Sequence, residues 1–139
     1  MRKLLLIATI TTLLASVSCK KAIEAKEKSL ILQAMTDGRW YVELYKDTTT
    51  DVTAEFAGYE FQFYEDYNVD AFINGATKSS GTWSADISSY SITANFPANA
   101  GDTLRRLNYT WKLTDSYTDY VEAKTTTASG DNILHLRKK

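Results

Sequence analysis

From Gly38 to the C-terminus, apolar and polar residues alternate with a period of two in short runs separated by Gly, Asn, Asp and Ser, which is the pattern of strands with one buried face. Eight such runs are read: Arg39–Lys46, Tyr59–Tyr64, Val69–Ile73, Gly81–Asp86, Tyr90–Phe96, Asn108–Leu113, Tyr117–Lys124 and Asn132–Arg137. The alternation assigns faces. Trp40, Val42 and Leu44 share one side of the first run, Phe61 and Phe63 one side of the second, and Trp83 pairs with Ala85 further on. Ile92 goes with Ala94, Trp111 with Leu113, and Leu134 with Leu136, while Glu43, Glu60, Gln62, Lys112 and Arg137 fall between them. Tyr41 and Tyr45 take the wet side of the first strand on this reading.

Turn chemistry joins neighbours as hairpins: Asp66 to Asn68, Asn74-Gly75, Asp86 to Ser89, Asp115-Ser116 and Ser129 to Asn132. Of two longer connections, Asp47 to Gly58 is expected to cap a barrel end with a helical turn in it, and Pro97 to Leu107 to form a second lid or a strand-extending loop. A parallel sheet needs near-continuous apolar strands and intervening helices, which this chain lacks. Closing an antiparallel sheet removes its edges and creates one core, so the expected fold is all-β, an eight-stranded antiparallel up-and-down barrel. A two-sheet sandwich is the alternative. Ala22 to Met35 is the one helical stretch after the leader, expected to be a short helix closing one end of the barrel with Leu30, Ile31 and Met35 on apolar surface.

Ahead of it, Arg2-Lys3, an apolar run from Leu4 to about Val17, and then Cys19 read as a signal segment, the run being shorter than the roughly 20 residues a membrane-spanning helix needs. Small residues Ala15 to Ser18 before Cys19 resemble the lipobox of bacterial lipoproteins. That resemblance implies cleavage before Cys19 and acylation of its thiol, with diacylglycerol among the attached groups. The expected organisation is a signal peptide over residues 1–18, a lipidated tether and short helix over 19–35, and a barrel domain over 36–139. Lys20-Lys21 after the cysteine favours a periplasm-facing position in the cell envelope, on the outer membrane.

Without the leader, residues 20–139 hold 14 Lys and Arg against 17 Asp and Glu, a net charge of about −3. Basic pairs lie far apart, so no nucleic-acid footprint is present. Cys19 is the sole cysteine, which excludes an intramolecular disulfide. The single histidine, His135, falls on the outer side of the last strand, without a second histidine for a metal and without a marked nucleophile. Glu65, Asp66 and Asp70 read as a solvated hairpin tip. The expectation is no enzyme activity, no catalytic residue, no metal and no cofactor.

Gly38-Arg39-Trp40-Tyr41-Val42, Phe56-Ala57-Gly58-Tyr59-Glu60-Phe61-Gln62-Phe63, Gly81-Thr82-Trp83, Leu107-Asn108-Tyr109-Thr110-Trp111 and Leu134-His135-Leu136 together resemble the lipocalin-like domains of Bacteroidetes-type lipoproteins. The resemblance covers about residues 36–138 and implies a barrel whose mouth binds a small apolar ligand. Trp40, Phe61, Phe63, Trp83 and Trp111 are then core or ligand-lining residues. Tyr41, Tyr45 and Tyr117 are candidates for a surface contact, since an aromatic ring with a wet hydroxyl suits sugar stacking or protein binding. Two readings follow: a lipid-anchored protein holding a small hydrophobic or amphipathic ligand, or a structural or interaction module that meets an envelope protein with its outer wall. A contiguous apolar cavity of about 300 Å³ or more opening between Asp47 to Gly58 and Pro97 to Leu107 would favour the first, and an interior sealed by the three tryptophans, with an exposed tyrosine patch, the second.

Overall fold

The computed structural model describes residues 2–139, with side chains from Cys19 onward. The signal segment read at residues 1–18 therefore lies outside the residues whose side chains are described. Helix α1 (Arg2–Thr36) leads into strands β1 (Arg39–Asp47), β2 (Thr50–Asp51), β3 (Tyr59–Phe63), β4 (Asn68–Ile73) and β5 (Ala76–Asp86). After them come β6 (Ser91–Asn95), the short helix α2 (Asp102–Arg105), β7 (Thr110–Tyr117), β8 (Tyr120–Thr127) and β9 (Gly130–Lys138). Every pairing is antiparallel, in the order β2-β1-β3-β4-β5-β6-β7-β8-β9, and β1 also pairs with β9. That last pairing closes the sheet. The result is an eight-stranded up-and-down barrel, with β2 a two-residue addition to the upper part of β1.

Hairpins form where the turn residues allow the required backbone. Asn74 and Gly75 both have positive φ, at 51° and 83°, as the right-handed twist of a tight β4–β5 hairpin demands. Asp66 and Asp86 each accept a hydrogen bond from the backbone N–H two residues on, at 3.1 and 2.9 Å, which fixes the β3–β4 and β5–β6 turns. The Asn68 backbone bond holds the Asp66 carboxyl, and the Ser88 hydroxyl, donating at 2.7 Å, holds the Asp86 carboxyl, below the usual carboxylate range. The β7–β8 turn lies at Thr118 and Asp119 rather than at Asp115-Ser116, because β7 continues to Tyr117 and pairs there with Tyr120.

Three bulges interrupt the pairing: one in β5 leaves Lys78 extra between the Ala71–Ser79 and Phe72–Thr77 pairs, and the other two overturn strict alternation. In β1 the register passes from Val42 opposite Leu136 to Leu44 opposite His135, which leaves Glu43 as an extra residue. Beyond it the faces exchange: Tyr45, expected outside, is buried at 1% exposure, and Leu44, expected inside, is half-exposed. In β7 the register passes from Leu113 opposite Ala123 to Asp115 opposite Glu122, leaving Thr114 extra. This sends Ser116 toward the barrel end and Tyr117 outward.

The core is one cluster, and Trp40, Phe61, Phe63, Trp83 and Trp111 all belong to it. The connections contribute as well, since Phe56, Phe96, Ala100, Leu104 and Leu107 are buried. Helix α1 closes the end from which β1 starts. Its last carbonyls, which have no partner inside the helix, accept hydrogen bonds from the barrel: Ala34 from Lys138 Nζ at 3.0 Å, Met35 from Trp40 Nε1 at 3.0 Å, and Thr36 from Gln62 Nε2 at 3.1 Å. Met35 is buried and Ile31 half-buried, whereas Leu30, expected on apolar surface, is 56% exposed.

Close approach at Gly81 sets the spacing of β5 and β6. A Cβ there would stand 2.5 Å from the Asn95 carbonyl oxygen and 3.0 Å from the Phe96 ring. The backbone oxygen cannot retreat without loosening the pairing next to it. Gly81→Ala is expected to lower unfolding stability by about 1–3 kcal/mol, as overpacking does, measured by chemical denaturation against wild type.

Candidate binding surfaces

The interior leaves little space. A wholly apolar cavity of about 40 Å³ lies among Phe61, Phe63, Val69, Trp111, Val121 and Leu134. That is room for about two or three water-sized bodies, and an apolar lining of this kind stays dry. Aromatic rings fill the rest. Trp111 meets Tyr45 edge-on at 5.7 Å, Tyr45 stacks on Phe56 at 5.3 Å, and Phe61 meets Phe96 at 6.2 Å. Phe63 and Trp83 meet at 5.3 Å nearer α1. The five aromatics expected as core or ligand-lining residues are core packing residues.

Both ends are sealed. At the end away from α1, the two long connections latch together. Arg106 donates to Asp47 at 2.7 Å and to Glu55 at 2.9 Å, and the Tyr45 hydroxyl donates to the Arg106 carbonyl at 2.7 Å. The 3-10 turn Thr53–Phe56 supplies both Glu55 and the ring that stacks on Tyr45. Burial, with the negative charges of nearby groups, pushes the Tyr45 phenol up to about 12. Sequence pattern missed Arg106 and Tyr45 as a pair. The faint signal was Leu104 and Leu107 three apart, both buried, with Arg106 between them reaching Asp47 and Glu55.

Openings among the described residues lie on the surface. A furrow of about 450 Å³ lies where β1 parts from β3, for these strands pair only at Arg39–Gln62 and Trp40–Phe61. Buried Phe56 and Tyr59 stand between it and the core, and the Glu60–Lys139 ion pair stands at its rim. A groove of about 260 Å³ runs between α1 and the β7–β8 hairpin, lined by Leu30, Ile31, Leu113, Tyr117 and Val121 among others. A shallower one lies between α1 and the β5–β6 turn.

The outer wall carries the ordered polar and aromatic surface. Across β1, β9, β8 and β7, register places Tyr41 opposite Arg137, Arg137 opposite Tyr120, and Tyr120 opposite Tyr117. Arg137 grips Glu43 with two bonds, Nε to Oε1 at 2.6 Å and Nη2 to Oε2 at 3.1 Å, and its guanidinium lies 4.8 Å above the Tyr120 ring. Tyr117 stacks on that ring from the other strand at 6.5 Å and remains 65% exposed. In the next row the Tyr120 hydroxyl donates to Glu122 at 3.1 Å and lies 3.1 Å from His135 Nδ1. His135 is thus part of a wall, as its place in the alternation predicts. Of the three tyrosines expected at the surface, Tyr41 and Tyr117 are on this wall and Tyr45 is not. Cys19 is exposed on α1, away from all of these residues.

No family model and no curated protein matches the chain. Among solved structures, the fold is similar to that of a DUF4847 family protein from Bacteroides vulgatus ATCC 8482, with a TM-score of 0.54 at 12% identity. The match covers 78% of this chain and 97% of that one, and it is a likeness of fold. Among the described residues, no helix is long and apolar enough to cross a membrane, and no group of three or more His, Cys, Asp and Glu is arranged to hold a metal ion.

The Tyr45 latch gives a pH signature. The folded state keeps the phenol proton up to about pH 12, whereas an unfolded chain releases it near 10. The stability from this difference is complete below about pH 10 and is lost as pH rises through about 12, a loss of about 2–3 kcal/mol. Tyr45→Phe removes the bond to Arg106, at an expected cost of about 0.5–1.5 kcal/mol at neutral pH. The variant's unfolding free energy should also fall less than wild type's between pH 10 and 12 in denaturant titrations.

Proposed function

We propose that this chain is a lipid-anchored cell-envelope protein, held through Cys19 on the periplasm-facing side of the bacterial outer membrane, that acts without enzymatic chemistry as a protein-interaction module. Its contact surface is the outer wall of β1, β9, β8 and β7. The observation that carries this reading is the contrast between a barrel whose interior is about 40 Å³ and a wall whose aromatic and charged groups are already held in place. A drug-sized ligand needs a pocket of about 300 Å³ or more, so a small hydrophobic molecule has no volume to occupy inside the barrel, and the furrow of about 450 Å³ between β1 and β3 lies on the outer surface, with buried Phe56 and Tyr59 between it and the core. Tyrosine and arginine carry a large share of the energy at protein interfaces, and side chains ordered beforehand lose little entropy on binding. Stacking of a sugar fits less well, because one face of Tyr120 is covered by Arg137 and another aromatic ring, Tyr117, packs against it. The exposed position of Cys19 on α1 suits an anchor.

Native mass spectrometry of the protein extracted from its host membrane is expected to show an acyl-modified Cys19 and no retained small molecule. A photo-cross-linking residue placed at Tyr41 is expected to give one discrete protein adduct that is lost in Arg137→Ala, while the same group at Lys78 gives none. A stoichiometric aliphatic ligand released from the barrel, or adducts indifferent to Arg137, would overturn the reading.

A further inference from the structure

Between β1 and β3 the barrel wall splits, and the groups that border the split are backbone. Lys139 N–H donates to the Arg39 carbonyl at 2.9 Å, so Arg39 turns its peptide groups to β9, and by alternation Trp40 and Val42 turn theirs to β3. From the other side, Asn74 N–H donates to the Gly58 carbonyl at 3.1 Å, so Gly58 turns to β4 while Tyr59 and Phe61 turn to β1. Trp40 and Phe61 meet as a pair. The next pair along the same two strands, Val42 with Tyr59, does not form. Bonding on this side of β1 resumes at Tyr45, whose N–H donates to Thr53 Oγ1 at 2.9 Å and whose carbonyl accepts from Val52 N–H at 3.0 Å. Among the described residues, the N–H and C=O of Val42 and of Tyr59 have no protein partner, and they face one another across the furrow.

The chemistry of these groups names what they take. A hydrocarbon in the furrow would remove two donors and two acceptors from water and return no hydrogen bond. A third backbone returns all of them. One residue running antiparallel to β1 exchanges two bonds with Val42, and its two neighbours, parallel to β3, each make one with Tyr59, so about three extended residues satisfy the split. The side chain of the middle residue then points inward onto the buried surface of Val42, Phe56 and Tyr59, which suits Ala or Val, and its neighbours point outward past Tyr41 and Glu60. Ala54, Ala57 and Gly58 flank the furrow, exposed and with little or no side chain to bar a strand from entering.

We propose that the split between β1 and β3 is a strand-addition site, which takes an extended peptide segment with a small apolar residue between polar ones and holds it by the peptide groups of Val42 and Tyr59. Tyr41 lines the furrow and also belongs to the wall it shares with Arg137, so a strand seated here lies directly beside that wall. The site is nonetheless built from β1 and β3 alone. It goes beyond the interaction reading and does not depend on contacts at Arg137 or on acylation of Cys19.

The test reads amide hydrogen exchange in the full chain by NMR, with the capped peptides Thr-Thr-Ala-Thr-Thr and Thr-Thr-Val-Thr-Thr as probes. Without peptide, the Val42 and Tyr59 amides are expected to exchange about ten-fold or more faster than those of Trp40 and Phe61. Saturating peptide of at least one of the two sequences should slow both by about ten-fold, while copies methylated on their backbone nitrogens should leave them unchanged. Ala57→Trp, which lays a ring over the furrow, should abolish the slowing in a protein whose thermal melt is unchanged, and Arg137→Ala should preserve it. Slow exchange at Val42 and Tyr59 before any peptide is added would overturn the proposal, as would no slowing with either peptide. Equal action by the methylated copies would make the furrow an apolar pocket, and loss of the effect in Arg137→Ala would place the peptide on the wall; either result sinks strand addition. Concentration-dependent slowing without peptide would do the same by making a second copy of the chain the occupant.

Discussion

The structure depends on the first strand having to pair on both sides. β1 pairs along most of its length with β9 and for only two residues with β3, and that is what turns a sheet with two edges into a barrel with none. The bulge at Glu43 makes this possible while reversing the faces of the strand. Trp40 below the bulge and Tyr45 above it therefore both point inward, one toward each end. Each then ties down the element that closes its end: Trp40 donates to the last turn of α1, and Tyr45 donates to the loop that carries Arg106. One strand thus holds both seals, and the interior is filled because the aromatic groups that make the seals also occupy it.

The barrel was legible because its signal is redundant. Period-two runs, turn residues at the right intervals and apolar faces of matching length all agree, and all eight long strands form near their expected positions. Asn74-Gly75 and the aspartate turns were readable for the same reason, since their chemistry is local. What was not legible depended on pairing across the chain. A bulge shows only as a register shift between strands far apart in sequence, so nothing near Glu43 announces that Tyr45 will turn inward. The same holds for Thr114, whose insertion carries β7 past Asp115-Ser116 and moves the hairpin tip to Thr118 and Asp119.

The candidate site was partly legible. Trp40, Phe61, Phe63, Trp83 and Trp111 were identifiable as inward residues, but whether such residues line a space or fill it depends on how many loop side chains join them. Phe56, Phe96, Leu104 and Leu107 do join them, and these sit in connections where alternation says nothing. Tyr41 and Tyr117 were readable as surface aromatics. That they share a band with Arg137 and Tyr120 requires the β1–β9, β8–β9 and β7–β8 registers at once, which no single segment encodes.

A filled barrel changes where specificity can reside. In an open calyx the strands supply a pocket and the outer wall has only to be soluble. When the interior is packed, the wall and the ends are the surfaces left for recognition, and rigidity becomes the asset the core provides. Arg137 illustrates the point. Its bonds to Glu43 and its position over Tyr120 are at the surface and add little to stability, yet they fix a planar cation and an aromatic ring on strands whose spacing the core dictates. Groups positioned by β-strands lose little freedom when a partner arrives, so the same aromatic packing that denies a ligand entry supplies the precision that an exterior contact needs.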